Sequence, residues 1–86
     1  MAEPARTILV VEDDPALALG LVDTLTFEGF DVVHATTGKD AVSAAVRRKP
    51  QCIILDLMLP DMNGYQVCEQ VRERDSLVPI LMLTAR

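Results

Sequence analysis

Cys52-Ile53-Ile54-Leu55-Asp56-Leu57-Met58-Leu59-Pro60-Asp61-Met62-Asn63-Gly64 is the stretch that decides the fold of this 86-residue chain. Four residues without charge run into one carboxylate, Asp56. More apolar residues follow, and then Pro60 and Asn63-Gly64 break the chain. An apolar run of this length between breakers reads as a strand buried on both faces of a parallel sheet. Asp56 then ends that strand at its carboxyl edge, where open α/β sheets bind their ligands. The competing reading is a turn-forming aspartate that caps a loop.

Working outward, the first strand is Thr7–Val11, apolar enough to be central, and it runs into Glu12-Asp13-Asp14-Pro15. Asp14 suits a helix N-cap and Pro15 the first turn, so a helix is expected from about Pro15 to Glu28. Its apolar face is Leu17, Leu21 and Leu25 with Ala18 and Val22, and Gly29 closes it. Phe30–Ala35 reads as a second strand at a sheet edge. His34 on it reads as a partly exposed strand residue, because no second His exists to share a metal. Thr37-Gly38-Lys39-Asp40 has the capping-box form with Asp in the place of Glu. The helix it opens is expected to bury Ala41, Val42, Ala45 and Val46. It ends in Arg47-Arg48-Lys49, cations that suit a helix C-terminus. After the Pro60–Gly64 loop, Tyr65 to about Arg74 is expected to be helical, with Val67, Cys68 and Val71 inward. Val78–Thr84 reads as a fourth strand with Pro79 tolerated at its start. Strands and helices alternate throughout, which implies one parallel sheet with right-handed crossovers and helices on both faces.

Composition narrows the function. The chain is one small domain, and such a domain buries only about 60–65% of its extended surface. Half of its residues are hydrophobic and its net charge is −5. Nothing in that balance favours nucleic acid or an anionic membrane, and no apolar run reaches the length of a span. The first residues do not begin a signal peptide, so a cytoplasmic location is expected. Cys52 and Cys68 read as small hydrophobes, not as a disulfide or zinc pair.

If the first and third strands are neighbours, Glu12, Asp13 and Asp56 meet at one sheet edge, with Thr84 delivered there by the fourth. Three carboxylates in a small space repel one another, and a hard divalent cation removes that repulsion. Mg²⁺ prefers one or two carboxylates, waters and phosphate oxygens, so the cluster reads as a Mg²⁺ site awaiting a phosphoryl group. The competing reading has Glu12 and Asp13 merely placing charge at a helix N-terminus. No G-x-G-x-x-G follows the first strand, and no G-x-x-x-x-G-K-[ST] occurs. A phosphatase of the D-x-D kind would need a second Asp two residues after Asp56, and Met58 stands there. A phosphoryl group on Asp56 would therefore persist, as in a switch and not as in an enzyme that turns it over.

Ile-Leu-Val-Val-Glu-Asp-Asp at 8–14, Ile-Leu-Asp-Leu-Met-Leu-Pro at 54–60, Asn63-Gly64 and Pro-Ile-Leu-Met-Leu-Thr-Ala-Arg at 79–86 together resemble a two-component response regulator receiver domain. The third and fourth motifs are most similar to the receivers of winged-helix transcription regulators. The resemblance implies a flavodoxin-like fold, with strand order 2-1-3-4 for the strands in this chain. It implies that Asp56 is the phospho-acceptor, charged by a sensor histidine kinase. It also implies that Glu12, Asp13, Asp56 and the backbone carbonyl of Met58 hold Mg²⁺, and that Thr84 is the switch hydroxyl. Family domains extend beyond a fourth strand, so residues 1–86 are expected to be the N-terminal part of a receiver. The family's next helix, fifth strand, last helix and phosphoryl-contacting lysine are not among these residues. Lys39 and Lys49, in the second helix region, do not match that lysine, and phosphorylation is expected to be slow. The alternative function is a self-associating flavodoxin-like piece without efficient phosphorylation. An uncovered fourth strand would favour self-association through residues 78–84. No direct nucleic-acid or membrane binding is expected of the chain.

Overall fold

A computed structural model describes residues 6–83. Four strands and three helices alternate: β1 (Thr7–Val11), α1 (Pro15–Phe27), β2 (Asp31–Ala35), α2 (Gly38–Arg48), β3 (Cys52–Asp56), α3 (Gly64–Arg74) and β4 (Ile80–Leu83). The strands form one parallel sheet in the order β2-β1-β3-β4, as the sequence reading expects. The chain steps from β1 to β2 in one direction and from β2 through β3 to β4 in the other. Right-handed crossovers therefore place α1 on one face and α2 and α3 on the opposite face. The point where the direction reverses lies between β1 and β3, and a ligand crevice opens at such a point.

Alternation along the strands divides the core. Leu9, Val11, Ile53 and Leu55 pack with Ala41, Ala44, Val67 and Val71 of α2 and α3. Ile8 and Val10 are buried on the other side, beneath α1, whose buried residue is Ala18. Leu21, Val22 and Leu25 of α1 are half-buried, but Leu17 is exposed. On α2 Gly38, Ala41 and Ala44 are buried; of the expected Ala41, Val42, Ala45 and Val46, the first three join or pack against the core and Val46 does not. Small residues let α2 approach the sheet closely, and that approach turns the larger Val46 outward, 39% exposed.

The helix ends show where side chains replace missing backbone partners. Asp14 caps α1, its Oδ1 accepting from Ala16 N (2.9 Å) and Leu17 N (3.3 Å). Gly29 has φ +96°, a left-handed conformation that glycine takes at low cost. Thr37 Oγ1 accepts from Asp40 N (3.1 Å), the backbone half of the expected box. The remaining N–H groups of that first turn go to a distant residue: Asp61 accepts from Gly38 N (2.7 Å) and Lys39 N (3.0 Å). The complete capping box lies on α3, where Asn63 Oδ1 accepts from Gln66 N and Gln66 Oε1 accepts from Asn63 N, both at 2.9 Å.

Asp61 thus ties the loop after β3 to the start of α2. The two N–H groups hold its carboxyl below its ordinary value of 3.8. A group depressed in this way contributes stability above its unfolded pKa, and the contribution is lost as pH falls through the folded pKa. Asp61→Asn is therefore expected to lower the thermal midpoint near neutral pH and to narrow its gap from the parent below pH 3.8. Thermal melts across that range are the check, and a gap independent of pH would contradict the assignment.

β4 begins at Ile80, two residues later than expected, because Val78 and Pro79 form the approach to the strand. Pro79 O accepts from Ile53 N (2.9 Å), and Arg72 donates to Val78 O. Ile80 and Met82 face α2 and α3 and pack against the core. Leu81 pairs with Ile54 on the other face, which α1 covers at β1 and β2, and it is 60% exposed.

Candidate functional site

The carboxyl edge at the reversal point collects three acids. Glu12 continues β1 by one residue, its N–H donating to Ala35 O (3.1 Å). That bond fixes the backbone, and the side chain is fully buried. Its Oε2 accepts from Asp14 N (3.2 Å). Asp56 ends β3 and is 1% exposed, and its Oδ1 accepts from Met58 N (3.3 Å). Asp13 is exposed. The carboxylate oxygens of Glu12, Asp13 and Asp56 all lie within 4.8 Å of one another.

The neighbouring groups separate the two readings of the acidic run. Asp14 already caps α1, and Pro15 fills its first position. The helix does not need Glu12 as well, and burying a carboxylate is costly unless something compensates it. Two unit charges at this spacing repel by about 3.5 kcal/mol at an effective dielectric near 20, and by less for the exposed Asp13. A cluster of three carboxylates, two of them buried, is a donor set that fits a hard divalent cation.

The loop after β3 is built tightly around Asp56. Gly64 N donates to Leu57 O (2.7 Å), and Met58 forms a bridge with Asn63. A Cβ at Gly64 would stand 2.8 Å from Asp56 O and 3.0 Å from Leu57 Cα. This close approach of backbone to backbone explains the glycine. Met58 exposes its side chain, and its backbone lies beside the Asp56 carboxylate.

His34 stands outside the acidic cluster, in keeping with its reading as an exposed strand residue. Its Nε2 lies 2.8 Å from Glu12 O, and since a carbonyl can only accept, Nε2 carries the proton. His34 thereby braces the backbone that presents Glu12. Thr84, the last residue of the expected 78–84 strand, lies outside the described residues. The Asp61 tie to α2 and the His34 brace had no signal in sequence, since each joins residues far apart in the chain; Gly64 was marked as a chain breaker, but not the steric demand on it. Neither cysteine forms a disulfide, and no helix among the described residues is long and apolar enough to cross a membrane.

Comparison with known proteins gives a consistent result. The family profile described as the response regulator receiver domain matches residues 8–86. The DNA-binding response regulator MtrA of Mycolicibacterium smegmatis is 51% identical over 81 residues, covering 94% of this chain and 35% of that protein. The alkaline phosphatase synthesis transcriptional regulatory protein PhoP of Bacillus subtilis is 42% identical over 81 residues, covering 94% and 34%. The chain thus spans about a third of the length of these relatives. Among solved structures, the CheY-like receiver domain protein of Methanospirillum hungatei superimposes with a TM-score of 0.92 at 26% identity, over 96% of this chain and 66% of that one. The receiver domain of sensor histidine kinase PA1611 from Pseudomonas aeruginosa, with a magnesium ion coordinated in its active-site cleft, gives a TM-score of 0.91 at 32% identity. That match covers 96% of this chain and 70% of the other.

Proposed function

The chain belongs to the response regulator receiver domain family, and from that premise we propose that Asp56 accepts a phosphoryl group from a sensor histidine kinase and that its phosphorylation state governs an output of the whole protein. The observation that carries this reading is the convergence of Glu12, Asp13 and Asp56 within 4.8 Å at the sheet's reversal point. A carboxylate oxygen of Asp56 attacks the phosphorus, the new O–P bond forms, and the P–N bond to the donor imidazole breaks. Glu12, Asp13, Asp56 and the Met58 carbonyl would hold Mg²⁺, which would neutralise carboxylate charge and stabilise the charge on the phosphoryl oxygens. Glu12, braced by His34, and the Gly64-closed loop keep the acceptor and its neighbours in place. Met58 offers no general base, so the acyl phosphate should be long-lived enough to signal. Thr84 takes the switch-hydroxyl role on its motif match. The relatives named as a transcriptional regulatory protein and a DNA-binding response regulator support an output in transcription, and a cytoplasmic location for the kinase reaction is part of the same proposal.

Incubation with acetyl phosphate and Mg²⁺, followed by mass spectrometry, tests the proposal. One phosphoryl group is expected on Asp56, with none on Asp56→Asn and none after Mg²⁺ is chelated. Label on another residue would overturn the assignment.

Self-association through β4 is the accompanying proposal, supported by the exposed Leu81 at the edge of the described sheet. Leu81→Lys is expected to shift any dimer seen by light scattering to monomer, and a dimer indifferent to that change lies elsewhere.

A further inference from the structure

A groove of about 340 Å³ runs between α2 and α3, and a second of similar size adjoins it at Val46 and Arg74. Lys39, Val42, Ser43, Val46 and Arg47 follow one another at helical spacing along one stripe of α2, facing Gln70 and Arg74 of α3. Val42 and Met62 are half-buried and Val46 is exposed, so the groove has an apolar floor that the core leaves open. Its rim carries four cations, Lys39 at one end, Arg47 along the side, and Arg74 and Lys49 at the other end, against one acid, Asp75.

This charge is not neutralised within the fold. Arg48–Asp31, at 3.4 Å, is the ion pair found among the described residues. Arg47 donates only to the neutral Ser43 hydroxyl (3.2 Å). Asp75, which lines the second groove, and Asp61 both have carboxylate oxygens engaged by backbone N–H groups. Asp61 accepts from the N–H groups of Gly38 and Lys39, and Asp75 Oδ1 accepts from Leu77 N and Val78 N. Helix stability explains Arg47 and Arg74, which stand in the last turns of α2 and α3, but not the rest of the rim. Cations suit the last turn of α2, but Lys39 stands in its first turn, where the dipole disfavours them. Lys49 holds a left-handed backbone, φ 46°, at a position where glycine would cost less. A positive rim around an apolar floor, in a chain of net charge −5, complements a ligand of the opposite character.

We propose that the α2–α3 groove docks an acidic amphipathic segment of a partner protein, with its apolar side chains on Val42, Val46 and Met62 and its carboxylates on the Lys39, Arg47, Lys49 and Arg74 rim. The proposal does not rest on Asp56 chemistry, and its test needs no phosphoryl donor.

The probe is a fluorescein-labelled peptide of roughly four helical turns, with Leu along one face and Glu flanking it. Fluorescence anisotropy is expected to show saturable micromolar binding at low salt, weakened about tenfold at high salt. Amide shifts in two-dimensional NMR are expected at residues 39–47, 62 and 70–75. The Lys39→Glu/Arg74→Glu double variant is expected to lose at least tenfold in affinity while melting cooperatively. Lys49→Gly is expected to raise the thermal midpoint yet weaken the peptide severalfold, a pairing that a purely structural lysine would not produce. Four results would overturn the proposal: no saturation below millimolar peptide, equal binding of a peptide with Lys in place of Glu, shifts confined to another face, or concentration-dependent shifts of the same residues without peptide, which would assign the groove to a second copy.

Discussion

Asp13→Asn is expected to stabilise the metal-free protein and, at the same time, to abolish its stabilisation by Mg²⁺. Without a cation, Asp13 adds a third negative charge within 4.8 Å of the buried Glu12 and Asp56. Its exposure screens the repulsion, so removing the charge is worth about 1 kcal/mol. With a cation, the same carboxylate becomes a ligand. At free Mg²⁺ a hundredfold above Kd, mass action stabilises the parent by about 2.7 kcal/mol. For a domain of this size that corresponds to a shift of roughly 10–20 °C in the thermal midpoint. Thermal melts with and without Mg²⁺, on parent and variant, give both signs in one experiment. A parent midpoint unmoved by saturating Mg²⁺ would remove the metal site from the proposal. A variant that keeps the full Mg²⁺ response would remove Asp13 from the ligand set.

Gly64→Ala is expected to cost about 3 kcal/mol, at the upper end for overpacking. The whole stability of a domain this small is roughly 4–13 kcal/mol, so that loss is a large share. The reason is what the new Cβ meets. Asp56 O at 2.8 Å and Leu57 Cα at 3.0 Å are backbone atoms at the strand end that carries the proposed acceptor, and they cannot swing aside. Relief must come from moving the loop, which also breaks the Gly64 N to Leu57 O bond and shifts Asp56. Gly38→Ala is the internal comparison. There the Cβ meets side chains and no backbone: the flexible thioether of Met62 can rotate away, and the buried Val67 Cγ2, at 2.9 Å, must give by a few tenths of an ångström. A smaller cost, about 1 kcal/mol, is expected at Gly38. Urea unfolding of both variants measures the difference, and the Mg²⁺-dependent shift should shrink in Gly64→Ala but persist in Gly38→Ala. Equal costs at the two glycines would contradict this account of the loop.

By itself the sequence determined the elements, the parallel sheet and the residues that belong at its carboxyl edge. Apolar runs ending in Glu12-Asp13 and Asp56, Asp14-Pro15 at a helix start, and Gly29 at a helix end are local signals. The energies behind them act over a few residues, so spacing alone reports them. The tertiary structure decided the rest. It rotated α2 until small residues faced the sheet, and so exposed Val46, because packing against β1 and β2 outweighs the hydrophobicity of any one side chain. It gave the first N–H groups of α2 to Asp61, and set His34 against Glu12 O. It made Gly64 a steric necessity. The α2, Asp61 and His34 contacts join residues brought together only when the elements assemble, and the Gly64 contact depends on how the loop after β3 folds back on the strand end; no local pattern along the chain encodes a distance through space.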